Sequence, residues 1–316
     1  MKGRRSEYDV TNQVNVTDSE LVCNEVCKLF SDLYPDHSML PVQKAFQILS
    51  DLFRGDFPGY HACDTPYHDL QHTLDVTLAM ARLLYGHEIS VGADSKLGID
   101  MVRLGIVVAL FHDSGYVRRL GDRRNKSGAV YTNRHVSRGG RFLTSILPHI
   151  GMAEMVPMAR RLIHFTGYEM SVSSIPLHEP GQRTLGKLLG SADLMAQMSD
   201  RCYLEKCRDR LYPEFVAAGL AGNGIGGRGY DSAEELIFKS PQFFQHILDD
   251  RLDLVMGGVH SYASLFFLPQ KDYYQEALER NHAYLKRVVE QRNIGLLRRE
   301  APWTLVVNPD DVLLAA

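Results

Sequence analysis

The chain has little of several features that mark specialised classes of protein. It has five cysteines in 316 residues, with no CxxC pair and no signal peptide, which predicts a reducing, cytoplasmic location. Its apolar runs are far shorter than the roughly 18–20 residues that are needed to cross a bilayer, so no membrane span is expected. Its net charge of -3 gives no general attraction to nucleic acid or to an anionic membrane.

Strand-like alternation is also scarce, and residues 303–307 are its best candidate. Apolar residues elsewhere recur at helical spacing, and Thr17-Asp-Ser-Glu20 is a capping-box pattern that opens a first helix. A second helix is expected after Pro41, and further helices over about 67–86, 95–113, 134–147, 152–166, 183–211, 241–267 and 270–293. We therefore predict an all-α helical bundle.

The chain shows no linker that would separate two domains. Residues 1–16 are polar and without apolar periodicity, so we predict a flexible tail there and a single domain over 17–316. The stretch 219–229 is rich in glycine and contains a literal GxGxxG. That pattern binds a dinucleotide only between a strand and a helix, and here a helix precedes it, so we predict a flexible loop.

Two histidines stand four residues apart on one predicted helix. His68 and His72 therefore share a face of that helix, and Asp75 is placed about one turn further along to brace a ring nitrogen or to cap a site. A single histidine is usually a satisfied structural residue. Two at this spacing favour metal binding.

A His-Asp pair, His112-Asp113, ends a predicted helix whose preceding residues are almost entirely apolar. Burying a charge there is costly unless it is paired or bound to a metal. Asp193 stands in an otherwise apolar, small-residue helix, where the same cost applies and an internal salt bridge is the alternative. With His135 and His164, which are individually less distinctive, these side chains predict a metal centre in a helical bundle.

The order His72, His112-Asp113, Asp193 resembles the HD superfamily of metal-dependent phosphohydrolases, which are all-α. The segment 67–76, Tyr-His-Asp-Leu-Gln-His-Thr-Leu-Asp-Val, is similar to the class I cyclic-nucleotide phosphodiesterase signature Tyr-His-Asn-x-x-His-Ala-x-Asp-Val. The resemblance covers a metal-site core of about 60–200, with C-terminal helices over 232–293 expected to complete the pocket.

The resemblance implies two divalent metal ions, drawn from Fe, Mn, Mg and Zn. The implied ligands of the first ion are His72, His112, Asp113 and Asp193. Asp113 would also bridge to the second ion, and His68 would give a proton to the leaving oxygen. Two further ligands are implied by six-ligand HD proteins, His135 and His164.

The resemblance also implies contacts to a substrate. Gln242 is the nearest candidate for a glutamine that clamps a purine, with Phe243 or Phe244 as its stacking partner, and a helix start that packs its aromatic rings in the core is the alternative. Tyr67 and Tyr116 flank the predicted ligands and complete the predicted substrate contacts. Tyr116 departs from the family pattern, because it stands where the His-Asp-x-x-His motif of the phosphodiesterases has its second histidine.

The leading hypothesis is hydrolysis of a nucleotide phosphodiester, with a nucleotide or another phosphoester as the small-molecule partner. A nucleotidase or a dNTP or alarmone hydrolase of the HD type, a di-iron oxygenase of the same fold, and a module that binds a nucleotide without cleaving it stay open. The Gly-Tyr-Pro signature of HD-GYP proteins is missing, which argues against cyclic-di-GMP. The amphipathic helices of 241–293 suit a homodimer interface as well as a core.

Overall fold

A computed structural model describes residues 3–222, 229–267 and 271–307 of the chain. The α-helices in these ranges are α1 (Ser19–Leu33), α2 (Leu40–Arg54), α3 (Leu70–Ser90), α4 (Ile99–Phe111), α5 (His135–Ile146), α6 (Val156–Leu162), α7 (Pro180–Ser199), α8 (Tyr203–Lys206), α9 (Tyr212–Ala217), α10 (Ala233–His246), α11 (Tyr262–Phe266) and α12 (Tyr273–Glu290). The described residues form no strand, only two isolated bridges. The all-α prediction is confirmed.

Helix α3 runs through the centre of the bundle, where α1, α4, α7 and α11 pack around it. Nearly all of its residues are buried, including polar ones such as Thr73 and Arg82. Helix α4 is apolar and buried from Leu104 to Phe111. Because no face of α3 is left to water, each of its polar side chains needs a partner inside the protein.

Side chains next to the N-termini of α3 and α1 cap these two helices. The Asp69 side chain caps α3 by accepting a hydrogen bond from the His72 backbone N–H at 2.9 Å. The Asp18 carboxylate caps α1 in the same way, so the capping pattern acts one residue later than its first threonine suggests. None of the described helices is long and apolar enough to cross a membrane.

The two longest predicted helices differ from the structure. The helix predicted over 183–211 ends at Ser199, and a second helical stretch follows as α8, a π-helical segment Cys207–Leu211 and α9. The one predicted over 241–267 begins at Ala233, passes through Pro241 and continues as a π-helical segment, Ile247–Val255. Apolar periodicity does not distinguish these π segments from α-helix, because they arise from local insertions in the hydrogen-bond ladder.

The N-terminal segment is packed, contrary to the flexible tail predicted for residues 1–16. Among residues 3–16, Val10 and Val16 are buried, and the buried Asp9 carboxylate pairs with Arg82 at 2.6 Å. Arg4 donates to the Ser199 carbonyl at 2.7 Å. A few long-range polar contacts hold this segment, and such contacts leave no periodic pattern in the sequence.

Two other predictions fall near the ends of the described ranges. Residues 303–307 are irregular rather than a strand, because no segment within the described ranges pairs with them. In the predicted glycine-rich loop, residues 223–228 lie outside the described residues. Its base is closed by a hydrogen bond from the Gly222 N–H to the Tyr230 carbonyl at 2.8 Å.

Candidate metal centre

Side chains from four helical elements meet at the wall of a cavity of about 490 Å³. Those that lie together are His72 of α3, His112 and Asp113 at the end of α4, His135 at the start of α5, and Asp193 of α7. His72, His112 and Asp113 bring ligand atoms within 4.8 Å of one another, a group able to hold a metal ion.

The two carboxylates lie between the imidazole rings. The Asp113 Oδ2 atom is 3.0 Å from His112 Nε2 and 3.4 Å from His72 Nε2. Asp193 Oδ1 is 3.5 Å from the same His72 nitrogen and 3.8 Å from that of His112. The other Asp113 oxygen, Oδ1, faces His135 Nε2 at 3.6 Å. Asp113 therefore presents one oxygen to each of two groups of ligands.

Backbone carbonyls set which nitrogen of each ring faces the carboxylates. The Nδ1 atom of His112 lies 2.7 Å from the Ala109 carbonyl, and that of His135 lies 2.7 Å from the Thr132 carbonyl. A carbonyl only accepts a hydrogen bond, so Nδ1 carries a proton in both rings, and Nε2 is the nitrogen that faces the carboxylates and is available to a metal ion, the arrangement typical of metal-binding histidines.

Two buried atoms at the centre of the cluster, His112 Nε2 and Asp113 Oδ2, have no hydrogen-bond partner among the residues that the structure describes. Unpaired buried polar atoms are costly in a native protein. A divalent cation is the partner that this set of imidazole and carboxylate donors fits, so the residues present fit a metal ion.

The charges of the cluster also require compensation. Burial lowers the pKa of His72, but Asp113 and Asp193 outweigh it and raise that pKa to about 10. Burial raises the pKa of Asp113, and the neighbouring His112 and His68 outweigh it and hold that pKa well below its usual value. The protein alone therefore holds protons on imidazoles at positions where a cation would take their place.

A glycine lets the fifth side chain reach the cluster. A Cβ atom at Gly115 would lie 1.8 Å from the His135 carbonyl oxygen. Only glycine permits this close approach between the turn after Asp113 and the first residue of α5. The residue type at 115 is therefore part of what places His135 beside Asp113.

His68 occupies a different position from the ligands. Its Nδ1 atom lies 2.5 Å from the Glu214 carboxylate, whose other oxygen accepts the backbone N–H groups of Tyr67 at 2.6 Å and His68 at 3.3 Å. Burial lowers the pKa of His68, but Glu214 and Asp113 outweigh it and raise that pKa. Sequence reasoning missed Glu214, because no local pattern links it to a histidine 146 residues away.

Both predicted tyrosines line the cavity. The Tyr116 ring is stacked between the rings of His68 and His135, with centroid distances of 4.3 and 4.4 Å. Tyr67 donates its hydroxyl to Gln197 Oε1 at 3.0 Å, and Gln197 also lines the cavity. Sequence reasoning also missed Gln197, for which the i,i+4 spacing from Asp193 was the available signal.

Three predicted residues have other positions. His164 lies in the 3₁₀ turn Ile163–Thr166, half-buried, and is neither in the cluster nor among the described residues that line the cavity. Phe243 lines the cavity, whereas Gln242 is exposed and does not. Asp75 forms no hydrogen bond to a ligand histidine. It is buried near the charges of Arg4, Asp200 and Lys206.

No family model matches the chain, and no curated protein matches it. A solved structure does, the phosphodiesterase domain of the Salpingoeca rosetta rhodopsin phosphodiesterase. It is 14% identical, with a TM-score of 0.53 over 91% of this chain and 92% of that one. At this identity the similarity concerns the fold alone. The protein therefore has the all-helical fold of a phosphodiesterase domain, with a histidine-aspartate group that could hold a metal ion at its cavity.

Proposed function

We propose that the protein is a metal-dependent phosphoester hydrolase whose substrate is a nucleotide phosphodiester. One observation carries the proposal. Three imidazoles, of which those of His72 and His112 are buried, present their Nε2 atoms to two carboxylates at 3.0–3.8 Å, and His112 Nε2 and Asp113 Oδ2 have no hydrogen-bond partner among the described residues. The shared fold with a phosphodiesterase domain supports the same reaction.

The residues divide into two sets of ligands joined by Asp113. The first set, around Asp113 Oδ2, consists of His72, His112, Asp113 and Asp193. The second set is Asp113 Oδ1 with His135. Divalent ions in such a site supply positive charge to the phosphoryl oxygens and lower the pKa of a bound water towards neutrality.

His68 is proposed to protonate the leaving oxygen. Glu214 on Nδ1 keeps the ring protonated and leaves Nε2–H as the donor, while the two backbone N–H groups on Glu214 hold that carboxylate in place. Tyr116 stacks on the same ring and restricts its rotation. General-acid catalysis of this kind contributes about 10²–10⁴-fold to a rate.

The cavity wall favours a diester over a polyphosphate. Among its described residues the wall has no lysine or arginine, and one side of it is apolar and aromatic, formed by Leu211, Phe215, Tyr230, Leu236 and Phe243. A nucleotide triphosphate or an alarmone carries several negative charges, which such a wall does not offset. A singly charged diester with a base suits it.

The arrangement favours hydrolysis over the oxygenase alternative. The six-ligand set that led to that alternative includes His164, and the structure does not bring His164 to the cluster. A proton donor with its own carboxylate partner, His68 with Glu214, has a use in expelling an alkoxide and no evident use in oxygen activation.

The test is hydrolysis of 3′,5′-cyclic AMP and cyclic GMP by Mn²⁺-loaded protein. We expect turnover that is lost, with metal, in His72→Ala, and that falls about 10²–10⁴-fold in His68→Ala at unchanged metal content. His149→Ala, an exposed histidine, is the matched control. Free phosphate from monoesters with no diester cleavage would assign a nucleotidase instead, and substrate-dependent oxygen uptake by iron-loaded protein would assign an oxygenase.

A further inference from the structure

The turn that follows Asp113 lies against helix α5 with the two backbones close together. A Cβ atom at Gly115 would lie 1.8 Å from the His135 carbonyl oxygen, and one at Gly139 would lie 3.3 Å from the His112 carbonyl oxygen. Glycine at these two positions permits the close approach. Because neither glycine has a side chain to interlock with the opposite backbone, polar contacts at the edge of this interface fix how the turn and the helix align.

Arg138, on α5, makes such polar contacts. Its Nε–H donates to the Gly115 carbonyl at 2.6 Å, and its Nη2 donates to the Val117 carbonyl at 3.1 Å. These carbonyls stand on either side of Tyr116, whose ring is stacked on that of His135 with a centroid distance of 4.4 Å. One guanidinium group on α5 therefore holds the backbone on both sides of Tyr116.

The surroundings of Arg138 suit a group that fixes backbone rather than one that pairs with a carboxylate. The side chain is half-buried and forms no ion pair among the described residues. Its guanidinium lies 3.5 Å from the ring centroid of Tyr131. That ring is held in turn by a hydrogen bond from its hydroxyl to Asp122 and by one from Asn125 Nδ2 to the hydroxyl at 3.2 Å. Arg138 is therefore fixed on the side away from the two carbonyls.

The second ligand set of the metal centre depends on the alignment that Arg138 maintains. Among the described residues this set consists of Asp113 Oδ1 and His135 Nε2, 3.6 Å apart, whereas the first set has four side chains. Asp113 directly precedes the turn, and His135 is the first residue of α5. With two protein ligands, the affinity of this set for a metal ion is sensitive to how accurately both are placed.

We propose that Arg138 is a positioning residue for the second metal ion, and that it aligns Asp113 with His135 by holding residues 115–117 against α5. The inference rests on the proposed function, because it presupposes the two ligand sets named there. Arg138 acts through the backbone, and its rigid fork of donors reaches two carbonyls at once. A lysine has a compact ammonium on a flexible stem and would replace that fork only in part.

The test is a Mn²⁺ titration of the wild type and of Arg138→Met, followed by elemental analysis and by electron paramagnetic resonance. We expect two Mn²⁺ ions per chain in the wild type, with the spectrum of an exchange-coupled pair. Arg138→Met should bind the second ion about 10–100-fold more weakly and the first ion with unchanged affinity. At intermediate Mn²⁺ concentrations its spectrum should therefore be that of an isolated ion. Arg138→Lys should lie between the two proteins, and it serves if Arg138→Met does not fold.

Arg141→Met is the matched control, because Arg141 is an exposed arginine on the same helix. It should bind both ions as the wild type does. Unchanged binding of both ions by Arg138→Met, an equal loss of both ions, or a single ion in the wild type would overturn the proposal. Failure of the proposed function alone gives a different result. The wild type would then bind two ions and cleave no phosphodiester, while Arg138→Met would still lose the second ion.

Discussion

The metal centre and the ionic layer behind it bury charged groups in opposite ways. The ionic layer consists of three pairs, Arg82 with Asp9, Lys206 with Asp200, and Arg210 with Asp69, at nitrogen-oxygen distances of 2.5 to 3.1 Å. Helix α3 contributes to both regions, since it carries His72 and Arg82 and begins after Asp69. One helix therefore holds charges that the protein satisfies and charges that it does not.

The comparison distinguishes structural charge from functional charge. In the ionic layer each cation meets a carboxylate within the fold. In the metal centre, His112 Nε2 and Asp113 Oδ2 are buried 3.0 Å apart, and neither has a hydrogen-bond partner among the described residues. Burial costs both regions several kcal/mol per ion, so the unsatisfied one needs a partner from outside the chain. Buried charge alone does not identify a site, whereas imidazole and carboxylate groups that converge on one point beside a cavity, with their central atoms unpaired among the described residues, indicate one.

The largest expected effect comes from removing the shared ligand of the metal centre. Asp113→Asn keeps the shape of the side chain but removes the charge that joins the two ligand sets. We expect phosphodiester turnover to fall by at least roughly 10³-fold, with loss of bound metal measured by elemental analysis. Full activity with full metal content would show that Asp113 is structural and would remove the contrast between the two regions.

Substitutions in the ionic layer should lower the stability of the fold and leave the hydrolytic activity unchanged. Arg82→Met leaves the buried Asp9 carboxylate with its hydrogen bonds from Thr11, Gln13 and Val14 but without a cation, which we expect to cost about 3–5 kcal/mol in the free energy of unfolding by urea. Arg54→Met removes an exposed pair with Asp51 and should cost less than about 1 kcal/mol. Activity per folded molecule should be unchanged in both. A similar cost in the two variants would contradict the pairing argument.

A smaller effect is expected at the boundary between the regions, where Glu214 supports His68. Glu214→Gln keeps the shape but removes the charge that raises the pKa of His68. Turnover should fall roughly 10–100-fold at unchanged metal content. A general acid works in its protonated form, so a lower pKa should move the alkaline limb of the rate profile to lower pH. An unshifted limb would exclude His68 as the acid that Glu214 supports.

The smallest effect is expected at Asp75, the one carboxyl near the ionic layer with no hydrogen bond among the described residues. Burial raises its pKa to about 7. The fold then favours its neutral form, so stability is lost as pH rises from the unfolded pKa of about 3.9 to about 7. Asp75→Asn should gain about 1–2 kcal/mol over the wild type at pH 8 and nothing near pH 4.

Urea unfolding at several pH values checks this prediction. Asp100→Asn, an exposed carboxyl on α4, is the control and should stay within about 0.5 kcal/mol of the wild type throughout. A gain for Asp75→Asn that does not grow with pH would show that the carboxyl is charged and satisfied in the fold, like the members of the ionic layer.

How well each metal ligand could be predicted depended on how local its sequence signal is. His112, Asp113 and Asp193 stand out because they interrupt apolar helices, and His72 stands out because it follows His68 by four residues. All four meet in the structure. His164 interrupts a helix in the same way and lies elsewhere. A polar residue in an apolar stretch thus predicts burial, but it does not tell which buried residues face one another.

The predicted substrate contacts show the same limit of sequence-based prediction. Phe243 lines the cavity and Gln242 does not, because neighbours on a helix point about 100° apart and the rotation of α10 is set by packing. Pro241 lies inside α10 rather than before it. The helix start inferred near residue 241 was therefore wrong.

The helical class, the central apolar helices and the residues on them whose burial demands a partner could all be inferred from the amino-acid sequence. These follow from periodicity and from the cost of desolvating charge, both local properties of the chain. The partners of those residues became known from the packing of the helices, which places Glu214 on His68 and Asp9 on Arg82. Pairing between distant segments depends on how the helices pack in three dimensions, and no spacing along the chain encodes it.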